Sequence, residues 1–169
     1  MTKLTEDGTL DSRTFRNTLG LFATGVTVVA VEVEGEIYGM TANAVASVSL
    51  EPMLVLVCVQ KEAHLMAFLR RAEGFSINIL NETQQDLSNY FANLWHAPEP
   101  PPFAFSPWLG TPRLEGAIGA IACRTIEYLE GGDHWIVMGQ VIGLYHQENP
   151  ANPLLYYRGQ YRQMLTVED

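Results

Sequence analysis

Val26-Thr-Val-Val-Ala-Val-Glu-Val33 is dense in β-branched residues, and Glu34-Gly35 follows as a hairpin signal before a second run, Ile37 to Ala42. Working outward, Met53 to Gln60 (MLVLVCVQ) is a continuous apolar run of the kind expected for a strand covered on both faces. Phe75 to Leu80, Ala117 to Tyr128 and Trp135 to Tyr145 read as further strands, the last two joined by Glu130-Gly131-Gly132-Asp133. A short strand near Tyr161 to Leu165 closes the series. Helical spacing is confined to short pieces. Residues 13–22 follow an N-cap at Ser12, with Phe15, Leu19 and Phe22 on one side; His64 to Arg71 and Thr83 to Asn93 are the others. Residues 97–112 are too rich in proline for a helix or a central strand and read as a long loop. The expectation is a mainly β fold with short helices, six or seven strands forming a small closed or split barrel. Residues 1–12 read as a flexible N-terminal segment and residues 13–169 as one domain.

Composition narrows the function. The chain has 169 residues, 47% hydrophobic and 17% charged, which excludes disorder and suits one well-covered core. Nineteen acidic against ten basic side chains give a net charge of −9, and the densest basic spot is Arg70-Arg71, so no face is built for nucleic acid. The apolar run at 53–60 is too short to span a bilayer, and the N-terminal residues lack the basic-then-apolar order of a signal peptide. Cys58 and Cys123 have no CxxC spacing and read as packing residues. These features point to a cytoplasmic protein that binds neither membrane nor nucleic acid.

Several chemistries are missing. There is no GxGxxG, GxSxG or HExxH, and Val26-Thr27 stands where a P-loop spaced from Gly20 and Gly25 needs Lys-Ser/Thr. The four histidines are dispersed without carboxylates at ligand spacing, so no metal site is expected. Asp133 and His134, placed on a strand, point to opposite faces and make no acid–base pair.

Three segments stand out. Met40 to Ser49 is a run of small, uncharged residues with hydroxyls and one amide; it suits either a tightly packed corner or the close approach of a planar ligand. Lys61-Glu62-Ala63-His64 opens a helix, as an ordinary turn or as a place for a terminal phosphate. His134 stands at the start of an apolar strand, either exposed or against a ligand. The late run Tyr156 to Tyr161 serves equally as a stacking platform or a subunit contact.

Taken in order, Phe22-Ala-Thr-Gly-Val-Thr-Val-Val29, Gly39-Met-Thr-Ala-Asn-Ala44, Ser47-Val-Ser-Leu-Glu-Pro52, Gly132-Asp-His134 with Gly139, and Pro153-Leu-Leu-Tyr-Tyr-Arg-Gly-Gln-Tyr161 resemble the short-chain flavin reductase family. The resemblance runs from Phe15 to Met164 and implies an FMN-binding split barrel that works as a homodimer. It implies NAD(P)H-dependent reduction of FMN or FAD by hydride transfer to N5, supplying a partner monooxygenase. Thr41, Ala42, Asn43, Ala44, Val45 and Ala46, with Val48 and Ser49, would line the flavin; Lys61, Ala63 and His64 would lie by its phosphate. His134 would contact the nicotinamide, with Tyr161 nearby and Phe91 and Ala92 at a helix end of less defined role. Val45 and Ala46 stand where many members carry a bulkier residue. Arg113, Arg124, Arg158 and Arg162 are candidates for a 2′-phosphate, so NADH and NADPH both stay open. A flavin store or sensor, and an oxidase or oxygenase on the same scaffold, are the competing functions.

Overall fold

The computed structural model describes residues 10–165. Three helices, α1 (Ser12–Leu19), α2 (His64–Leu69) and α3 (Gln85–Phe91), accompany twelve strands. The strands are β1 (Thr24–Gly25), β2 (Thr27–Val33), β3 (Glu36–Ala42), β4 (Val45–Leu50), β5 (Met53–Gln60), β6 (Gly74–Ile79), β7 (Phe105–Trp108) and β8 (Thr111–Leu114). They continue with β9 (Gly119–Gly131), β10 (His134–His146), β11 (Leu155–Tyr157) and β12 (Gln160–Arg162). Seven form one antiparallel sheet in the order β3-β2-β6-β9-β10-β5-β4, with β1-β11-β12 and β7-β8 as smaller sheets. The large sheet keeps two free edges, β3 and β4, so the barrel is split rather than closed.

The doubly covered strand is β2, not β5. Val29, Val31 and Val33 face one core with Val57, Val59, Leu69, Phe75, Ile77 and Val137, while Val28 and Ala30 face a second with Leu80, Leu87, Leu114 and Leu154. On β5 only Val55, Val57 and Val59 are buried; Leu54, Leu56 and Cys58 on the other face are half-buried. That open face carries the candidate site.

Two other expectations change. The proline-rich stretch ends in a ribbon, β7-β8, with Pro107 opposite Pro112. A two-stranded ribbon leaves each strand an outward edge, where a missing N–H breaks no ladder. Buried Ser76 and Asn78 hold it down: the Ser76 hydroxyl bonds the Pro112 carbonyl, Asn78 Nδ2 donates to the Val28 carbonyl at 3.1 Å, and Asn78 Oδ1 accepts from the Leu114 amide at 2.9 Å. The first helix is capped by Asp11 instead of Ser12: Oδ1 accepts from the Arg13 and Thr14 amides, both at 2.9 Å. Thr14's bonds hold the Asp11 carboxyl below the usual carboxylate range, as suits an anion on a helix N-terminus.

Candidate active site

The open face of β5 forms the floor of a cleft of about 1040 Å³. Leu56 and Cys58 contribute from β5, and Asn43, Ala44, Val45 and Ala46 from the corner between β3 and β4. The opposite wall is α1 with the turn after it, and the β11–β12 turn at Arg158-Gly159. The Arg158 amide donates to the Gly20 carbonyl at 2.8 Å, joining those two parts of the wall. Asn43 Nδ2 donates to Thr24 Oγ1 at 3.1 Å, and the Cys58 amide to the Ala44 carbonyl at 3.0 Å, which anchors the corner. The consequence is a shallow apolar trough with backbone and small side chains at its edge, shaped for a planar ring whose rim offers hydrogen-bonding groups.

The structure divides the sequence-expected residues into groups. Asn43, Ala44, Val45 and Ala46 line the cleft together. Thr41 and Ala42 sit one step back: the Thr41 hydroxyl donates to the Ser88 carbonyl at 2.7 Å, and the Ala42 carbonyl accepts from Thr27 Oγ1 at 2.7 Å. Val48, the unpaired residue of a bulge between Ser47 and Ser49, lies further along the β4 edge with Ser49 and does not line the cleft. Phe91 packs on Gly39 beside Phe103 and Phe105, and Ala92 is the α3 C-cap. The Tyr161 hydroxyl lies 2.8 Å from Ser88 Oγ, and its ring meets Tyr156, which does line the cleft.

Lys61, Ala63 and His64 lie outside the cleft. Lys61 Nζ pairs with Glu130 at 2.5 Å and lies 5.3 Å from the Trp135 ring, while its amide donates to the Asp133 carbonyl at 3.0 Å. That bond with Lys61 holds the Glu130 carboxyl below its usual range. Ala63 is the N-cap of α2 without a capping side chain, and the His64 ring packs edge-on against Phe68 at 4.9 Å. Lys61 thus clasps the end of β5 to the β9–β10 hairpin.

His134 begins β10 opposite Gln60, with Ile136 opposite Cys58 and Met138 opposite Leu56. Paired residues of an antiparallel ladder share a face, so His134 is on the cleft's side of the sheet, about 7 Å beyond the Cys58 row. Asp133 does pair with it, contrary to the strand-alternation argument: Oδ1 lies 2.8 Å from His134 Nδ1. Asp133 belongs to the turn, where alternation does not hold, and the turn bends its carboxylate back onto the ring. The bond to His134 keeps the Asp133 carboxyl below its usual range. With Nδ1 occupied, Nε2 is the nitrogen left for another partner.

Sequence reasoning missed Leu56, Cys58, Arg13 and Arg16. Leu56 and Cys58 looked like core because alternation is invisible in a uniformly apolar run; the two arginines were hidden in a helix read only for its apolar face. Among the described residues no cluster of His, Cys, Asp or Glu is arranged for a metal, and no helix is long and apolar enough to cross a membrane.

Comparison with known proteins bears directly on this geometry. The flavin reductase-like domain model matches residues 19–165. The chain belongs to that family. It is 37% identical over 170 residues to the reductase subunit HsaB of a flavin-dependent monooxygenase from Rhodococcus jostii, covering 95% of this chain and 85% of that protein. It is 38% identical over 152 residues to an NADH-dependent flavin reductase from a Rhodococcus species, covering 88% of this chain and 84% of the relative. The Streptomyces globisporus C-1027 NADH:FAD oxidoreductase SgcE6, solved in complex with NAD and FAD fragments, superposes with a TM-score of 0.83 at 33% identity. That match covers 94% of this chain and 96% of that one. This member of the flavin reductase-like family is accordingly an oxidoreductase, with the split barrel its sequence implied.

Proposed function

We propose that this flavin reductase binds the flavin in the cleft at Asn43–Ala46 and presents it to a reduced nicotinamide nucleotide held from the His134 side. The observation that carries this reading is the trough itself: small side chains at its rim, Leu56 and Cys58 as its floor, and room for a tricyclic ring. The bound pair supplies hydride chemistry, so the protein's work is alignment and electrostatics. Asn43–Ala46 bring backbone amides and carbonyls to the rim of the ring, where charge develops on reduction. His134 orients the nicotinamide through Nε2 and moves no obligatory proton; the Asp133 bond fixes its ring. Leu56 and Cys58 exclude water beneath the reacting face.

Two copies of this chain pair through the surface that carries α1. Phe15, Leu19 and Phe22 of that segment are 66%, 57% and 73% exposed, and α1 has no buried residue. A second copy seated there covers an apolar face of a kind that monomers rarely leave open. The recipient of the reduced flavin is an oxygenase, as the name of the HsaB relative suggests.

Anaerobic absorbance tests the reading. Purified protein with excess FMN, then FAD, is mixed with NADH or NADPH and flavin bleaching is followed. Multiple turnovers are expected. A yellow protein that retains flavin and ignores both nucleotides identifies a store or sensor instead.

A further inference from the structure

Three arginines line the cleft together with Asn43–Ala46: Arg13 and Arg16 from α1, and Arg158 from the β11–β12 turn. Arg13 and Arg16 are three apart on one helix and so share a face. Arg158 is brought to them by its own backbone, through the 2.8 Å bond from its amide to the Gly20 carbonyl. Charge is strongly segregated here. The chain carries nineteen acidic and ten basic residues, yet among the described residues three arginines line this cleft and no aspartate or glutamate does. Among the described residues none of the three is in a salt bridge; Arg16 Nε bonds only the Ser12 carbonyl at 3.2 Å. Asp11, the carboxylate at the start of α1, is engaged by the amides and hydroxyl of its own helix cap.

Arg158 has φ +53°, a left-handed conformation that a large side chain rarely adopts. Asparagine or glycine suits such a turn better. The other arginines named from the sequence lie elsewhere: Arg113 stacks 4.3 Å from the Tyr145 ring, Arg124 faces out from β9, and Arg162 bonds the Gln160 side chain. None of these three lines the cleft.

We infer that Arg13, Arg16 and Arg158 form a phosphate-recognition wall, so that the nucleotide lies with its ring on Asn43–Ala46 and its phosphate on the arginines. This rests on the reading that the cleft takes the flavin. Guanidinium groups suit the task, since they stay charged at every working pH and present forked donors that match phosphate oxygens. The inference also accounts for Lys61, whose ammonium is engaged with Glu130 and does not face the cleft.

The phosphate belongs either to the flavin or to the nicotinamide dinucleotide, and paired ligands separate the two. Flavin fluorescence titration compares FMN with riboflavin, which lacks the phosphate. Initial rates compare NADH with reduced nicotinamide riboside, which lacks both phosphates and the adenosine. The variants are Arg13→Gln with Arg16→Gln, on a helix with no buried residue, and Arg158→Asn, which tolerates left-handed backbone and keeps the amide bond to Gly20. Thermal unfolding of each variant beside wild type confirms that the fold is kept. Wild type prefers the phosphorylated partner of one pair, and the variants lose that preference by roughly 10-fold, the effect of losing a charge-assisted contact. A collapse of the FMN preference assigns the wall to the flavin; a collapse confined to the NADH pair assigns it to the dinucleotide. Preferences unchanged within about twofold in both pairs overturn the inference, twofold being far below the effect of a charged contact. Riboflavin and FMN binding are read without turnover, so a protein that binds flavin but oxidises no nucleotide would fail the reductase reading while leaving the phosphate test intact.

Discussion

His134 and Cys58 show how single residues acquire roles from their neighbours. Nδ1 of His134 is bonded to Asp133, and on the proposed reading the residue positions the nicotinamide, so His134→Ala should raise the KM for NADH several-fold and lower kcat less. Steady-state kinetics at saturating flavin reads both, and a loss confined to kcat contradicts the role. Asp133 has its own signature in acid. Its folded pKa is lowered, so the contribution of the pair is complete above the ordinary carboxylate value of about 3.9 and is lost as pH falls through the folded value. The stability gap between wild type and Asp133→Asn should therefore persist down to about pH 4 and close below it, as measured by acid titration of unfolding. The cysteines separate by burial. Burial pushes the Cys123 thiol up to about 12, whereas Cys58 lines the cleft. Iodoacetamide followed by mass spectrometry should label Cys58 before Cys123 in the native protein, and FMN should slow that labelling.

Among the elements, β6 and β9 are held closer than side chains allow. A Cβ built on Gly74 lies 2.2 Å from the Cys123 carbonyl oxygen, which is backbone of the adjoining strand and has no rotamer to yield. Gly74→Ala should destabilise by about 1–3 kcal/mol, the usual cost of overpacking. For a chain of this size that lowers the melting temperature by roughly 2–4 °C per kcal/mol, a shift readable by circular dichroism. Element type was largely legible: the hairpin at 26–42, the two long strands and all three short helices are where hydrophobic period and turn residues placed them. Burial was less so. MLVLVCVQ reads as doubly covered, yet its alternate residues meet a core on one side and a cleft on the other. Composition reports that side chains are apolar, not what is packed against them.

For the whole molecule, the uncovered apolar face of α1 is the surface with the clearest consequence. Replacing Phe15 and Phe22 together by serine should leave the barrel folded, because neither ring is buried, but convert a dimer to a monomer. Light scattering after size exclusion measures this, and a wild-type monomer at micromolar concentration sinks the pairing. The candidate site was partly legible in the same way. Asn43–Ala46 announced themselves by small side chains in a long uncharged run. Arg13 and Arg16 precede them by about thirty residues and Arg158 follows by more than a hundred, and the pairing of β1 with β11 and the bond from Arg158 to Gly20 bring them to one cleft.

Sequence alone determined the mainly β class, the short helices, the absence of metal and phosphate-loop motifs and the family, because each rests on local pattern or on motifs in order. Tertiary structure decided which strand is covered on both faces, that Asp133 turns back onto His134, that Lys61 clasps a hairpin, and that three arginines line one cleft with a small-residue corner. Those facts depend on register, turn geometry and the meeting of segments far apart in the chain. Hydrophobic period constrains such meetings only to the face of a strand and never to the partner lying across it.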